Sequence, residues 1–465
     1  MNPNNQPDLD DLLRRYEQSL SDGRPVYYDV DELEVLSDYY LSNGKRFESS
    51  AVIDLGLKLH PNNSNLLLKR ATLYVEIGDY KHALHILDRL PEKDDGDALL
   101  LRAEVYLRLE RKQDGLDLIE RIMQSERLDK VQRCLDVVAI LSDMTWFPLA
   151  IDYLQDTLKQ YPDNQELLEE LAWCYEQVKD FVSCITVYNR ILDLDPYKAD
   201  IWFNLGQCHF NREEYNEAVE AYEFALTIYP DDQIALLQLG HAHFQASRFK
   251  ESAVVYEECV KQDPENDIIR VYLGEAYEKS GQLDKALPHY EQAWTLNPLN
   301  KDACVGMAVC LMEQKIFGES LTWLDRALKI DEEDPEIWVY LAELMQDLEL
   351  REEAFMSYLR ALSLDPGQPD VLASMGNLAF DDGNYAKALS LYEAARELDP
   401  ALPGLNLFFA LAYARLDQTE QAMKYLDKAV EADPKAIDLF REIMTEEGTE
   451  EGDKPSTDVL PEQND

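Results

Sequence analysis

Along most of the chain, apolar residues recur three and four positions apart in stretches of about a dozen, and short polar turns separate one stretch from the next. That spacing predicts helices with one buried face. Turn residues such as Gly281-Gln282 and Asp382-Gly383-Asn384 fall midway between two such stretches, so the stretches pair into helical hairpins. No apolar run approaches the length needed to span a bilayer.

The hairpins keep a constant phase. Pro162, Pro196, Pro230, Pro264 and Pro298 stand 34 residues apart, and Pro366, Pro400 and Pro434 continue the register. Glu332 occupies the one vacant place. There Pro335 precedes Glu336 and Trp338, at the first turn of a helix, where a missing N–H costs nothing. The unit from Ala199 to Asp232 carries Trp202, Leu205, Gly206, His209, Ala218, Tyr222, Ala225 and Pro230 at unit positions 4, 7, 8, 11, 20, 24, 27 and 32. Neighbouring units repeat it with Leu273, Gly274, Tyr277, Ala286, Tyr290, Ala293 and Pro298, then Trp338, Leu341, Ala354, Tyr358, Ala361 and Pro366, then Gly376, Ala388, Tyr392, Ala395 and Pro400.

These residues resemble the tetratricopeptide repeat family, whose units hold Trp, Leu, Gly, Tyr, Ala, Phe, Ala and Pro at those positions. The resemblance implies an all-α protein, an α-solenoid superhelix of about twelve antiparallel hairpins. Its physical basis is legible: small residues at positions 8, 20 and 27 let the two helices of a hairpin approach, and large ones at 4, 7, 11 and 24 fill the space between hairpins. One hairpin cannot bury its own apolar face, so neighbours must stack.

Toward the N-terminus the pattern weakens but continues, through Ala150 and Leu154, then Ala103, Tyr106 and Ile119, then Ala71, Tyr74, Gly78 and Ala83, and finally Leu33, Leu36 and Tyr40. The expected organisation is an N-terminal segment over 1–29 with a capping helix from Asp8 to Leu20, divergent units over 30–130 and a regular array over 131–436. Over 437–465 the chain is read as the end of a closing helix and an acidic disordered tail. A charged linker, Glu92 to Gly96, shifts the spacing after Pro91.

Composition narrows function. Among 465 residues, 92 acidic against 44 basic give a formal charge of -48, which repels a phosphate backbone and argues against nucleic acid as a partner. The first twenty residues lack a basic, then apolar, secretory pattern. Seven scattered cysteines without a CxxC pair fit a reducing compartment. The expectation is a cytoplasmic protein with no membrane contact.

At about 100° per residue, positions 2, 5, 6, 9, 12 and 13 of each first helix lie opposite the core positions, and in the family they line a concave groove. Here that set includes Trp173, Phe203, Asn204, Gln207, Phe210, His241, Phe244, Glu275, Glu278, Met312, Glu343, Asn377 and Phe380, apolar and acidic by turns. The rings either anchor a peptide or pack against the next hairpin. Position 5 never holds lysine, so a clamp for the terminal carboxylate of a chaperone tail, another known use of the family, is disfavoured. His209 and His243 occupy position 11 and read as core substitutions rather than metal ligands, because their spacing to Cys208, His241 and Cys259 is not compact. Cys134, Cys184, Cys259 and Cys304 fall at core positions, and Pro288 lies inside a second helix, which it should bend.

No G-x-x-x-x-G-K-[ST], H-E-x-x-H, G-x-S-x-G or G-x-G-x-x-G occurs, and no cofactor, metal or catalytic centre is expected. The reading is a protein–protein interaction scaffold that takes a basic or apolar segment of a partner protein in its groove. A structural role through self-association of hairpin faces is the second reading.

Overall fold

The computed structural model describes residues 9–22, 26–90, 96–125 and 129–446. They form 26 α-helices and, among the described residues, no strand. The chain divides into two compact units, Met1–Pro230 and Asp231–Asp465.

The first unit opens with α1 (Leu9–Asp22) and continues with six hairpins. They are α2 (Val30–Ser42) with α3 (Arg46–Leu59), α4 (Ser64–Glu76) with α5 (Tyr80–Leu87), and α6 (Gly96–Arg108) with α7 (Lys112–Gln124). Next come α8 (Lys130–Asp143) with α9 (Phe147–Leu158), α10 (Gln165–Gln177) with α11 (Phe181–Leu194), and α12 (Ala199–Asn211) with α13 (Tyr215–Ile228).

The second unit has six more. They are α14 (Gln233–Gln245) with α15 (Phe249–Gln262), α16 (Asp267–Lys279) with α17 (Leu283–Leu296), and α18 (Lys301–Glu313) with α19 (Phe317–Ile330). Then come α20 (Pro335–Asp347) with α21 (Arg351–Leu364), α22 (Pro369–Asp381) with α23 (Tyr385–Leu398), and α24 (Leu405–Arg415) with α25 (Thr419–Ala432). The helix α26 (Ala436–Glu446) closes it. The twelve hairpins are those expected, and the divide at Pro230 falls inside the regular array. Residues 91–95, most of the expected linker, and the tail from 447 onward lie outside the described residues, as does Asp8.

Three local devices recur with the 34-residue period. The residue before each proline is held extended by the proline ring, and so Asp195, Asp399 and Asp433 end their helices at ψ of 96°, 100° and 110°. Two residues past Pro162, Pro230, Pro264 and Pro298, an Asp or Asn side chain accepts from the first turn of the following helix. Asn164 takes the Leu167 N–H at 2.9 Å and Asn300 the Ala303 N–H at 2.9 Å. Between the helices of a hairpin one residue turns left-handed: Lys179 at φ 58°, Glu213 at 62° and Gly281 at 75°. The N–H that follows closes back on the helix, Asp180 to the Tyr175 carbonyl at 2.9 Å, so the last turn is hydrogen-bonded.

Packing is carried by position 24. Tyr222, Tyr256, Tyr290, Tyr358 and Tyr392 are each at most 1% exposed. Tyr290 on α17 lies against two glycines of neighbouring first helices, Gly274 on α16 and Gly306 on α18. A Cβ at Gly274 would stand 2.7 Å from its ring, and one at Gly306 would also overlap it. The four cysteines placed in the core are buried, and α17 runs through Pro288. In the first unit Arg133, 5% exposed on α8, donates to the carbonyls of Ile122 at 3.0 Å, Met123 at 3.2 Å and Asp129 at 3.2 Å. It thereby ties the end of α7 to the start of α8.

Candidate functional site

Every groove residue named from the sequence sits on a first helix. In the first unit, Trp173 on α10 is 41% exposed and meets Phe147 edge-on at 5.6 Å. Phe203, Asn204, Gln207 and Phe210 on α12 are half-buried, with the Phe203 ring 5.7 Å from Tyr222 and the Phe210 ring 5.4 Å from Tyr215. In the second unit, His241, Phe244, Glu275, Met312 and Asn377 are half-buried and Glu343 is exposed. Glu278 and Phe380 are buried, at 9% and 8%, with Phe380 packed on Tyr385 at 5.1 Å.

Several of these residues hold an internal hydrogen bond with the position-24 tyrosine of their own hairpin. Tyr188 donates to Glu176 at 2.6 Å, Tyr290 to Glu278 at 2.8 Å and Tyr358 to Gln346 at 2.8 Å, each twelve residues apart. Tyr392 donates to Asn377 at 2.8 Å, and the Tyr256 hydroxyl meets His241 Nδ1 at 2.7 Å, each fifteen apart. A buried hydroxyl needs a partner, so positions 9 and 12 serve the core as well as the face.

Three of the predicted residues converge. Phe244, Glu275 and Glu278 line a cavity of about 300 Å³ in the second unit, together with Lys279, Tyr290, Asp302, Val305, Val309, Asp334, Glu336 and Tyr340. Met312, Glu343, Asn377 and Phe380 lie outside that lining. Asp302, Val305, Val309, Glu336 and Tyr340 occupy positions 2, 5, 6 and 9 of α18 and α20. The helical-wheel rule covers those positions, but charge and ring at single sites did not distinguish them.

Five carboxylates thus face one ammonium. Lys279 reaches Glu278 at 3.1 Å, and Lys301, from beside the lining, binds Asp334 at 2.6 Å and Asp331 at 2.8 Å. Burial, then Glu278 and Asp302, push the Glu275 carboxyl up to about 7, with Lys279 opposing. A larger cavity, about 710 Å³, lies between Pro400–Leu407 and Ala429–Leu439, where Asp433 and Lys435 are the charged lining residues. His209 Nδ1 donates to the Glu214 carboxylate at 2.8 Å.

The Glu275 shift has a consequence for stability. Its folded-state value exceeds the ordinary 4.5, so the folded chain keeps a proton that the unfolded chain loses. Stability contributed at this group therefore falls as pH rises from about 4.5 to about 7, and the penalty is fully present above that. Glu275→Gln is expected to stabilise the second unit at pH 8 by roughly 1–3 kcal/mol and to leave it unchanged at pH 4. Denaturant unfolding at the two pH values checks this; a variant weaker than wild type at pH 8 contradicts it.

Known proteins match the repeat. Models described as tetratricopeptide repeat match residues 199–232, 237–295, and 279–348 with 379–445. One described as the Psidin N-terminal TPR repeats region matches 68–191. No curated protein sequence matches. Among solved structures, the yeast Tom70 is 14% identical, with 93% of this chain and 96% of that chain covered and a TM-score of 0.47. The APC/C hetero-tetramer Cut9-Hcn1 is 15% identical over 93% and 98%, at 0.44. A tetratricopeptide repeat protein from Parabacteroides merdae is 16% identical over 53% and 97%, at 0.45. Among the described residues no helix is long and apolar enough to cross a membrane. With the 34-residue period, its twelve two-helix units and family models matching between residues 68 and 445, the chain belongs to the tetratricopeptide repeat family.

Proposed function

We propose that the chain is an interaction scaffold that receives a basic or apolar segment of another protein along the faces of its first helices. The observation that carries this reading is the cavity walled by Glu275, Glu278, Asp302, Asp334 and Glu336, with Phe244 and Tyr340 beside them. A lysine or arginine side chain entering there gains attraction from carboxylates that have too few cations of their own, and its methylene stem packs on the rings. In the first unit the face of Trp173, Phe203 and Phe210 offers apolar anchoring, because rings bury large area at small entropic cost.

A random twelve-residue peptide library displayed on phage, selected on the full chain, tests this. The selected peptides should be enriched in lysine or arginine next to aromatic or aliphatic residues. Their affinity should fall about tenfold or more in Glu275→Lys/Glu336→Lys and weaken as ionic strength rises. Peptides without a cationic bias, bound equally by the charge-reversed chain, would refute the basic-segment reading.

A further inference from the structure

Five position-24 tyrosines have a hydrogen-bond partner at position 9 or 12 of their hairpin, in both units: Tyr188, Tyr256, Tyr290, Tyr358 and Tyr392. Tyr222 departs from the rule. It is fully buried, and its hydroxyl has no hydrogen-bond partner among the described residues. Positions 9 and 12 of its hairpin are Gln207 and Phe210, so a ring stands where Glu176 and Gln346 accept in theirs. The Phe203 ring lies 5.7 Å from that of Tyr222, and the Gln207 side chain makes no hydrogen bond among the described residues.

A buried donor left unpaired is costly, and such groups are rare enough that each calls for an explanation. The site also shows what would satisfy it. An acceptor is required, since a phenol with an ordinary proton donates. A carboxylate is disfavoured in a chain of charge -48. A partner in helical form keeps its main-chain carbonyls in its own ladder. An extended segment offers them free.

We propose that the Tyr222 hydroxyl is a ligand-binding donor: it bonds a main-chain carbonyl of an extended partner segment that lies against Phe203 and Gln207. This rests on the scaffold reading above and specifies what the first unit recognises. The hydroxyl is buried in the free chain, so binding here proceeds with a side-chain movement rather than onto an open surface. The unpaired donor in the free chain is then a cost that the partner removes.

The test compares Tyr222→Phe with Tyr392→Phe in the full chain, using the twelve-residue peptides selected on wild type as probes. Tyr222→Phe should keep or raise the thermal midpoint, since it deletes an unsatisfied group, while peptide affinity falls about five- to twenty-fold. Tyr392→Phe should lower the midpoint, because Asn377 loses its donor, and leave affinity unchanged. Unchanged affinity in Tyr222→Phe overturns the proposal even if charge reversal at Glu275 and Glu336 abolishes binding, in which case the scaffold reading stands. A lowered midpoint in Tyr222→Phe also overturns it, because the hydroxyl then has an internal partner such as Gln207. A library that yields no binder at all overturns both readings.

Discussion

Replacing Tyr290 by alanine is expected to cost roughly 4–6 kcal/mol and to loosen α16, α17 and α18 before any other helices of the second unit. The ring fills the space between Gly274 and Gly306, positions where no side chain fits while it is present. Removing it leaves a cavity shared by two hairpins, which alone accounts for roughly 3–5 kcal/mol. The hydroxyl also donates to Glu278, a carboxylate only 9% exposed, and an acceptor that loses its donor at such depth adds to the cost. Tyr290→Phe separates the two contributions, since it keeps the ring and deletes only the bond. In a repeat protein each hairpin touches its neighbours alone, so hydrogen exchange should accelerate locally. Uniform acceleration through the second unit would contradict the wedge account.

Arg133→Met is expected to destabilise the first unit by roughly 2–4 kcal/mol. The guanidinium is nearly sealed from solvent and satisfied by carbonyls alone, those of Ile122, Met123 and Asp129. Methionine keeps much of the volume and none of the donors, so the last carbonyls of α7 lose their cap. Bonds from a charged donor each contribute about 1.5–3 kcal/mol, partly offset here because burying the cation was itself costly. Thermal unfolding of the full chain, read by hydrogen exchange at α7 and α8, checks it. A variant as stable as wild type would mean that the carbonyls find other partners.

Much of this architecture is readable from the chain because the strongest local rules coincide with the period. Proline forces the residue before it out of the helix, and Asp or Asn two places later caps the next one, so Pro196 with Lys198 or Pro298 with Asn300 marks a boundary even where the cap side chain is missing. The tyrosines of position 24 were equally visible. What the pattern concealed depends on contacts between helices. Glu278 reads as a solvated charge, yet Tyr290 twelve residues on draws it inward. Phe380 reads as a ring that either anchors a peptide or packs on the next hairpin, yet Tyr385 of its own hairpin covers it. Pro230 keeps the register without interruption, so nothing in the residues there marks the divide between the two compact units. The cavity was half legible: its acids lie at positions assigned to the face, but only packing selects the ones that converge.

The receiving surface can be located directly by hydrogen–deuterium exchange of the full chain with and without a saturating peptide rich in lysine and phenylalanine. Within the second unit, slowed exchange should concentrate in α16, α18 and α20, the helices that carry Glu275, Asp302 and Glu336. The second helices α17, α19 and α21 should change little. Protection confined to those second helices, or exchange unaltered at saturation, would contradict a partner seated on the first-helix face.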